Sequence, residues 1–499
     1  MKSFKKVALV LVMAVLIAGC DDFGDINVDP NNPLEVDTSL LLTNAERSIG
    51  VNEVGGVQVT VVGATTGAIW TQYIAETQYT DASQYSNTSF DFNAWYTGPL
   101  KDLQTIIDLN TDEETRVRAA VDNGSNANQI AVARILKAYF YHFMTDRWGA
   151  IPYSEALEGR DNLTPSYDSQ EFIYEDLVNE LNEAVAQIDD GPGVSGDILF
   201  SGDMDQWALF ANSLRARIAL RMADANPTLA ESEFSDAVDD GLITQNVMYP
   251  FLADASNENP WYTRFRTRTD YAISDVMADY MLDLEDNRIL MYANPAPDLD
   301  NGDAEVTFDE INGMPYHAEN AGDITNASIS FPGSAIGAGG PNVGEQNADI
   351  PILTLAEMNF AQAEAVERGW ITDDAEQLYN DAIEASWTQW LGVFDEDEFN
   401  TYISQPEVTY SSAEWEERIG TQKWIALFPD GYQAWAEWRR LDYPEFILPH
   451  EFALNQSGEI PVRHVYPSSE AEINSENYEE AVSMQGPDTP DTHLWWDVE

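Results

Sequence analysis

The chain has 499 residues, with 87 Asp plus Glu against 24 Lys plus Arg and a formal charge of -63. Such a surface repels nucleic acid and anionic lipid headgroups, and it disfavours polyanionic ligands such as sulfated glycans. Cys20 is the single cysteine, so no disulfide staples the fold and a core must hold it.

The first elements set the compartment. Lys2, Lys5 and Lys6 precede an apolar run from Val7 to Ile17 that is too short to span a bilayer. The run ends in Ile17-Ala18-Gly19-Cys20, which resembles a bacterial lipobox, where the cysteine is acylated and becomes the first mature residue. The expected layout is a signal peptide over 1–19, a lipidated Cys20 with a Pro- and Asn-rich tether over 20–40, and a single domain over 41–499. No long low-complexity linker divides that domain.

Apolar residues at helical spacing then recur. Val132, Ile135, Leu136, Tyr139, Phe140 and Phe143 predict a helix over 129–145. Ile173, Leu177, Leu181, Val185 and Ile188 predict one over 171–188, and Trp207, Phe210, Leu214, Ile218 and Met222 one over 205–223. A pair follows over 352–368 and 374–391, the second lined by Leu378, Ala382, Ile383, Trp387 and Trp390. Shorter helices are expected over 411–427 and 431–440. Paired amphipathic helices point to a mainly α fold of tetratricopeptide-like pairs. Arg147-Trp148-Gly149 reads as a helix end, with Gly149 suited to a left-handed cap and Pro152 barring a restart. Arg215, Arg217 and Arg221 are expected to pair internally with carboxylates, and Glu357 and Glu364 to be buried and hydrogen-bonded.

Between these helices lie irregular stretches near 50–100 and 242–350, rich in Gly, Pro, Asn and Asp, where binding sites tend to sit. Aromatic residues make up 11% of the chain, with 14 Trp and 22 Tyr. Rings among polar residues suit sugars, whose C–H faces stack on them while their hydroxyls take hydrogen bonds. Candidate ligand-binding residues are Trp70, Tyr79, Trp95, Tyr96, Trp261, Tyr262 and Arg264; each tryptophan also has a core reading. Trp207, Trp387 and Trp390 are assigned to the core. Asp298, Asp300, Asn301, Asp303 and Glu305 concentrate oxygen ligands, but Gly302 does not fall where an EF-hand loop requires it. The run reads as a solvated loop, with a structural calcium as the alternative; no other cofactor is expected. Neither a serine-nucleophile elbow nor a His-Glu-x-x-His motif is present, and the five His at 142, 317, 450, 464 and 493 are scattered. The acids are too abundant for a hydrolytic carboxylate pair to stand out. The chain is therefore expected not to be an enzyme.

Five segments in order resemble the SusD/RagB family. They are Asp22-Phe23-Gly24-Asp25-Ile26-Asn27-Val28-Asp29-Pro30-Asn31-Asn32-Pro33, Arg147-Trp148-Gly149-Ala150-Ile151-Pro152-Tyr153-Ser154-Glu155-Ala156-Leu157, and Trp207 to Arg221. Leu355-Ala356-Glu357-Met358-Asn359-Phe360 with Ala363-Glu364-Ala365 follows, and then Ile460-Pro461-Val462-Arg463-His464-Val465-Tyr466-Pro467 with Glu470, Asn474, Asn477 and Tyr478. The resemblance implies four tetratricopeptide-type helix pairs cradling an irregular, loop-rich ligand-binding half. It implies a lipoprotein held to the outer membrane by its lipid alone and facing the cell exterior, with Asp21 and Asp22 similar to an export signal. Its implied partners are a neutral oligo- or polysaccharide and a SusC-like TonB-dependent transporter. Residues 50–100 and 242–350 match no particular member, so peptide cargo on the same fold, a pure interaction scaffold and a glycoside hydrolase stay open as alternatives.

Overall fold

The computed structural model describes residues 36–50, 53–54, 57–58, 65–266, 268–303, 305–338 and 345–498. Cys20, the expected signal peptide over 1–19 and most of the expected tether over 20–40 lie outside the described residues. The helices that frame the molecule are, in chain order, α1 (Thr38–Gly50), α2 (Thr65–Trp70), α3 (Pro99–Thr111), α4 (Asn126–Trp148), α5 (Gln170–Gln187), α6 (Met204–Arg221), α7 (Pro227–Asp240), α8 (Pro260–Phe265), α9 (Asp275–Asp283), α10 (Leu355–Glu367), α11 (Ala375–Leu391), α12 (Trp415–Leu427), α13 (Gly431–Leu441) and α14 (Ser475–Gln485). They pack as pairs: α1 with α3, α4 with α5, α6 with α7 and α10 with α11. Neighbouring pairs stack through α5 on α6, and α12 with α13 closes the row against α10. The helices expected from periodicity are all present within a few residues. α1, α2, α3, α7, α8, α9 and α14 were not foreseen, because their apolar faces are short and interrupted by polar residues.

Side-chain oxygens start these helices by accepting the first free backbone N–H groups. Ser125 takes the N–H of Asn128, Ser169 that of Phe172, Asp203 those of Asp205 and Gln206, Thr354 that of Glu357 and Asp374 that of Gln377. Gly149 ends α4 with φ 78° and ψ -120°, a glycine conformation but not the left-handed helical one expected. A Cβ there would meet Gln485 Oε1 at 1.9 Å.

Buried charge runs through the helical layers. Glu357 takes Arg217 bidentately, Nε to Oε1 at 2.7 Å and Nη2 to Oε2 at 2.6 Å. Glu364 receives Arg440 Nη1 at 2.5 Å, Arg440 Nη2 at 2.7 Å and Arg368 Nε at 2.8 Å. Burial pushes the Glu364 carboxyl up, but Arg440 and then Arg368 outweigh it and hold it below its ordinary range. Arg215 meets Glu233 at 2.7 Å and Asp240 at 3.0 Å, and Arg221 meets Glu437 at 3.1 Å. The expected internal pairing of all three α6 arginines is met. Trp207, Trp387 and Trp390 are core residues, as read from the sequence.

Strands are few and short among the described residues: β1 (Glu53–Val54), β2 (Val57–Gln58), β3 (Ile74–Glu76), β4 (Ile151–Pro152), β5 (Tyr167–Asp168), β6 (Val247–Tyr249), β7 (Tyr271–Ile273) and β8 (Ile350–Leu353). They form two-stranded antiparallel ladders, β1–β2, β3–β7, β4–β5 and β6–β8. The β6–β8 ladder closes the base of the irregular insertion before α10. The β3–β7 ladder ties that insertion to the loop after α2. No helix of the described residues is long and apolar enough to cross a membrane.

Candidate functional site

Trp70, Trp95 and Trp261 are buried, and their expected role as open stacking faces is corrected by their packing. Trp70 meets Trp435 edge-on at 5.0 Å and His464 at 5.4 Å. Trp95 packs on Phe143 at 5.2 Å and Phe140 at 5.6 Å, and Trp261 stacks on Phe265 at 6.0 Å. The reasons are local. Around Trp95 the polar neighbours Asp91 and Asn93 turn outward, whereas around Trp70 and Trp261 polar neighbours such as Gln72 and Asn259 are buried with the ring and spend their amides on backbone groups. Tyr96 is half-buried and donates its hydroxyl to the Pro152 carbonyl at 2.6 Å.

Tyr79 behaves differently: it is 67% exposed. Its loop is set by the β3–β7 ladder, in which Glu76 faces Tyr271, and by the Thr77 N–H donated to the Asp270 carbonyl at 2.9 Å. Glu76 then fixes the turn, its Oε2 accepting the N–H groups of Ala82 and Ser83, both at 2.9 Å. Burial raises the Glu76 carboxyl, and these donors oppose the rise. Across the ladder, Arg264 lies over Tyr271 at 5.4 Å and Arg266 over Tyr262 at 5.9 Å. Tyr79, Tyr262 and Arg264 thus belong to segments that meet at one end of this ladder.

Two further loops join them. Gln84 Nε2 donates to Thr80 Oγ1 at 3.0 Å and to the Glu319 carbonyl at 3.2 Å. The Leu454 N–H reaches the Gln84 carbonyl at 2.6 Å, and the His450 N–H reaches the Tyr85 hydroxyl at 3.0 Å. These bonds set Leu448, Phe452 and Leu454 beside the Tyr79 loop, at 55%, 38% and 60% exposure. Beneath them His317, Tyr316 and His450 form a triangle of rings, with centroids 5.3 to 5.5 Å apart. His450 Nδ1 accepts the Phe452 N–H at 3.0 Å, which places the neutral ring's proton on Nε2. Burial, and then the neighbouring His317, push His450 down to about 4, so the ring is neutral near pH 7. An aromatic and aliphatic surface rimmed by Thr80 and Glu319 results. Sequence reasoning missed its 448–454 part, whose apolar residues follow neither helical nor strand spacing.

An open cleft of about 270 Å³ lies elsewhere, lined by Glu285, Asn287, Asp397, Glu398, Trp387 and Tyr402. Its rim is acidic, Trp387 and Tyr402 are core residues, and Phe308 is a half-buried ring at its edge. In the acidic run, Asp300 takes the Gly302 N–H at 2.8 Å and Asn301 takes that of Asp303 at 2.7 Å. Glu310 takes the N–H groups of Asn301 and Thr307 and shapes the loop. Among the described residues no group of three or more His, Cys, Asp or Glu is placed to hold a metal ion.

A family model described as starch-binding and associating with the outer membrane, of SusD-like type, matches residues 30–467. No curated protein matches the chain. Among solved structures, a chitin-binding protein is 24% identical with a TM-score of 0.76, covering 93% of this chain and 100% of that one. A chitin-binding SusD homologue from Flavobacterium johnsoniae is 24% identical, TM-score 0.76, covering 93% and 99%. A SusD homologue from Bacteroides fragilis is 21% identical, TM-score 0.77, covering 93% and 100%. At these identities the structures show a shared fold.

Proposed function

The chain belongs to the SusD-like family of starch-binding, outer-membrane-associated proteins, and from that premise we propose that it captures a neutral glycan without cutting it and passes it to a SusC-like TonB-dependent transporter. In this reading Cys20 carries the lipid and the domain stands on the outer face of the outer membrane. The observation that carries the reading is the exposed surface of Tyr79, Leu448, Phe452 and Leu454 on loops locked by backbone hydrogen bonds. A sugar ring laid on Tyr79 or Phe452 gains contact area. Its hydroxyls meet the rim at Thr80 and Glu319, which the buried Gln84 braces, and Tyr262 and Arg264 extend the surface beyond the ladder. An open face suits an extended chain that must slide off again, whereas a closed pocket would retain it. Two chitin-binding proteins among the structural relatives make β-linked N-acetylglucosamine oligomers a first choice, with starch oligomers second.

The test is calorimetric titration of the purified protein with chito- and malto-oligosaccharides, other neutral glycans and peptides. At least one saccharide binds. Tyr79→Ala and Phe452→Ala each weaken it by about 5- to 30-fold, the equivalent of about 1–2 kcal/mol of lost ring contact. The thermal midpoint stays unchanged in Tyr79→Ala, whose side chain is exposed, and falls slightly in Phe452→Ala, whose ring also rests against His450. Heat from a peptide alone, or unchanged affinity in both variants, rules the reading out.

A further inference from the structure

Arg147 closes α4 with its side chain wholly inside the protein, 1% exposed. Four rings surround the guanidinium carbon, Phe143 at 3.8 Å, Trp148 at 4.5 Å, Tyr432 at 4.7 Å and Trp95 at 5.3 Å. Ring faces attract the charge but accept no ordinary N–H hydrogen bond. None of Nε, Nη1 and Nη2 makes a well-formed hydrogen bond within the protein. Burial pushes the group down to about 10, with the Tyr432 hydroxyl opposing, so it stays charged at neutral pH. A buried charged group whose five N–H donors face at most one hydroxyl is rare in folded proteins and calls for a further partner.

Beside it is a narrow cavity of about 20 Å³, bounded by Arg147, His142, Asp146, Arg217, Asp430 and Tyr432. One water needs a space of about 10–15 Å³ on this measure, so the cavity admits a water and nothing much larger. Its walls are chemically mixed. Arg147 offers donors. Asp430 has one oxygen on the Gln433 N–H at 3.0 Å, where it caps α13. Asp146 takes the Tyr174 hydroxyl and lies 3.4 Å from His142 Nε2. Arg217 is already matched by Glu357. Two carboxylates in the wall repel an anion, and the arginines repel a cation. Only a neutral molecule that both donates and accepts suits both kinds of wall.

We propose that this cavity is a binding site for one resident water molecule, which accepts from the Arg147 guanidinium and donates to the Asp430 carboxylate. The water joins the C-terminal turn of α4 to the N-terminus of α13, two elements distant in sequence. It lets Arg147 remain in its aromatic cage without a carboxylate of its own. The site is separate from the glycan surface and does not depend on that reading.

A crystal structure of the purified protein grown in sodium bromide, at a resolution that orders waters, decides the matter. The expected result is one peak in the cavity without anomalous signal, about 2.7–3.2 Å from an Arg147 nitrogen and from an Asp430 oxygen. A cavity without a peak, an anomalous bromide peak, or a peak bonded to neither residue overturns the proposal. In Arg147→Met, whose thioether can stay in the cage, the peak is lost. A peak that persists at full occupancy there overturns the role given to Arg147. The wild-type crystal is decisive even where that variant does not fold.

Discussion

Trp95, packed onto the helical half through Phe140 and Phe143, and Tyr79 in the loop half both stand among polar residues, yet one is sealed and the other open. The two halves differ in what satisfies the backbone. In the helices, backbone groups bond to each other, so the polar side chains are free to meet across the layers, as Arg217 does with Glu357 and Arg440 with Glu364. Rings there fill the space between layers. In the loops, side chains and neighbouring segments serve the backbone instead. Glu76 takes two N–H groups, Glu310 takes two, and Asn259 takes those of Trp261 and Tyr262. Polar groups are consumed in holding shape, and rings such as Tyr79 and Phe452 have no layer to fill. Aromatic abundance therefore marks two unrelated things in one chain.

The contrast breaks most readily at the charged seam. Glu364 is fully buried and serves two arginines, so Glu364→Ala leaves Arg440 to share Glu437 with Lys423 and Arg221, and Arg368 with only the half-exposed Asp224. The expected loss is about 5 kcal/mol, at the upper end for breaking a buried pair. Urea unfolding followed by tryptophan fluorescence reads it, and a loss below about 1 kcal/mol would mean water reaches the seam. Next in size is Trp261→Ala, which empties the space beside Phe265 and costs about 4 kcal/mol. Its glycan affinity at matched folded fraction stays that of the wild type. A weakened affinity with an intact thermal midpoint would return Trp261 to the binding surface.

Much of the helical half was legible because its periodicity is long and its caps are ordinary. Ile135, Leu177, Phe210 and Ile383 announce their helices, and Glu357 and Glu364 on apolar faces announce buried pairing. The candidate site was legible only in part. Tyr79 is on the surface as read, and Tyr262 and Arg264 lie near it. The error with Trp70, Trp95 and Trp261 was to take a polar neighbourhood in sequence for a polar neighbourhood in space. Beside Trp70 and Trp261 the polar residues Gln72 and Asn259 are themselves buried and hydrogen-bonded to backbone groups, and beside Trp95 they turn outward, so a polar neighbour in the chain says nothing of which way the ring faces. Leu448, Phe452 and Leu454 were out of reach, because their exposure follows from the hydrogen bonds of Gln84 and Tyr85, which lie far away in the chain.

The smallest expected effect sharpens the comparison where the two halves touch. Asp430 caps α13 from inside the protein, and burial pushes its carboxyl from 3.8 up to about 6, against the Gln433 N–H and Arg217, which pull it down. The folded chain therefore holds a proton at Asp430 through a range where the unfolded chain has released it. Stability from this group is complete below about pH 4 and is lost as pH rises through 6. Asp430→Asn keeps the cap, since asparagine is as good an N-cap, and removes the titration. The variant's unfolding free energy minus that of the wild type should rise between pH 4 and pH 7, by at most about 3 kcal/mol. Parallel pH profiles for the two proteins would show that Asp430 ionises as freely inside the fold as outside it. The arginines around the cavity would then have to solvate it as well as water does, and the seam would reach further toward the loops than its ion pairs suggest.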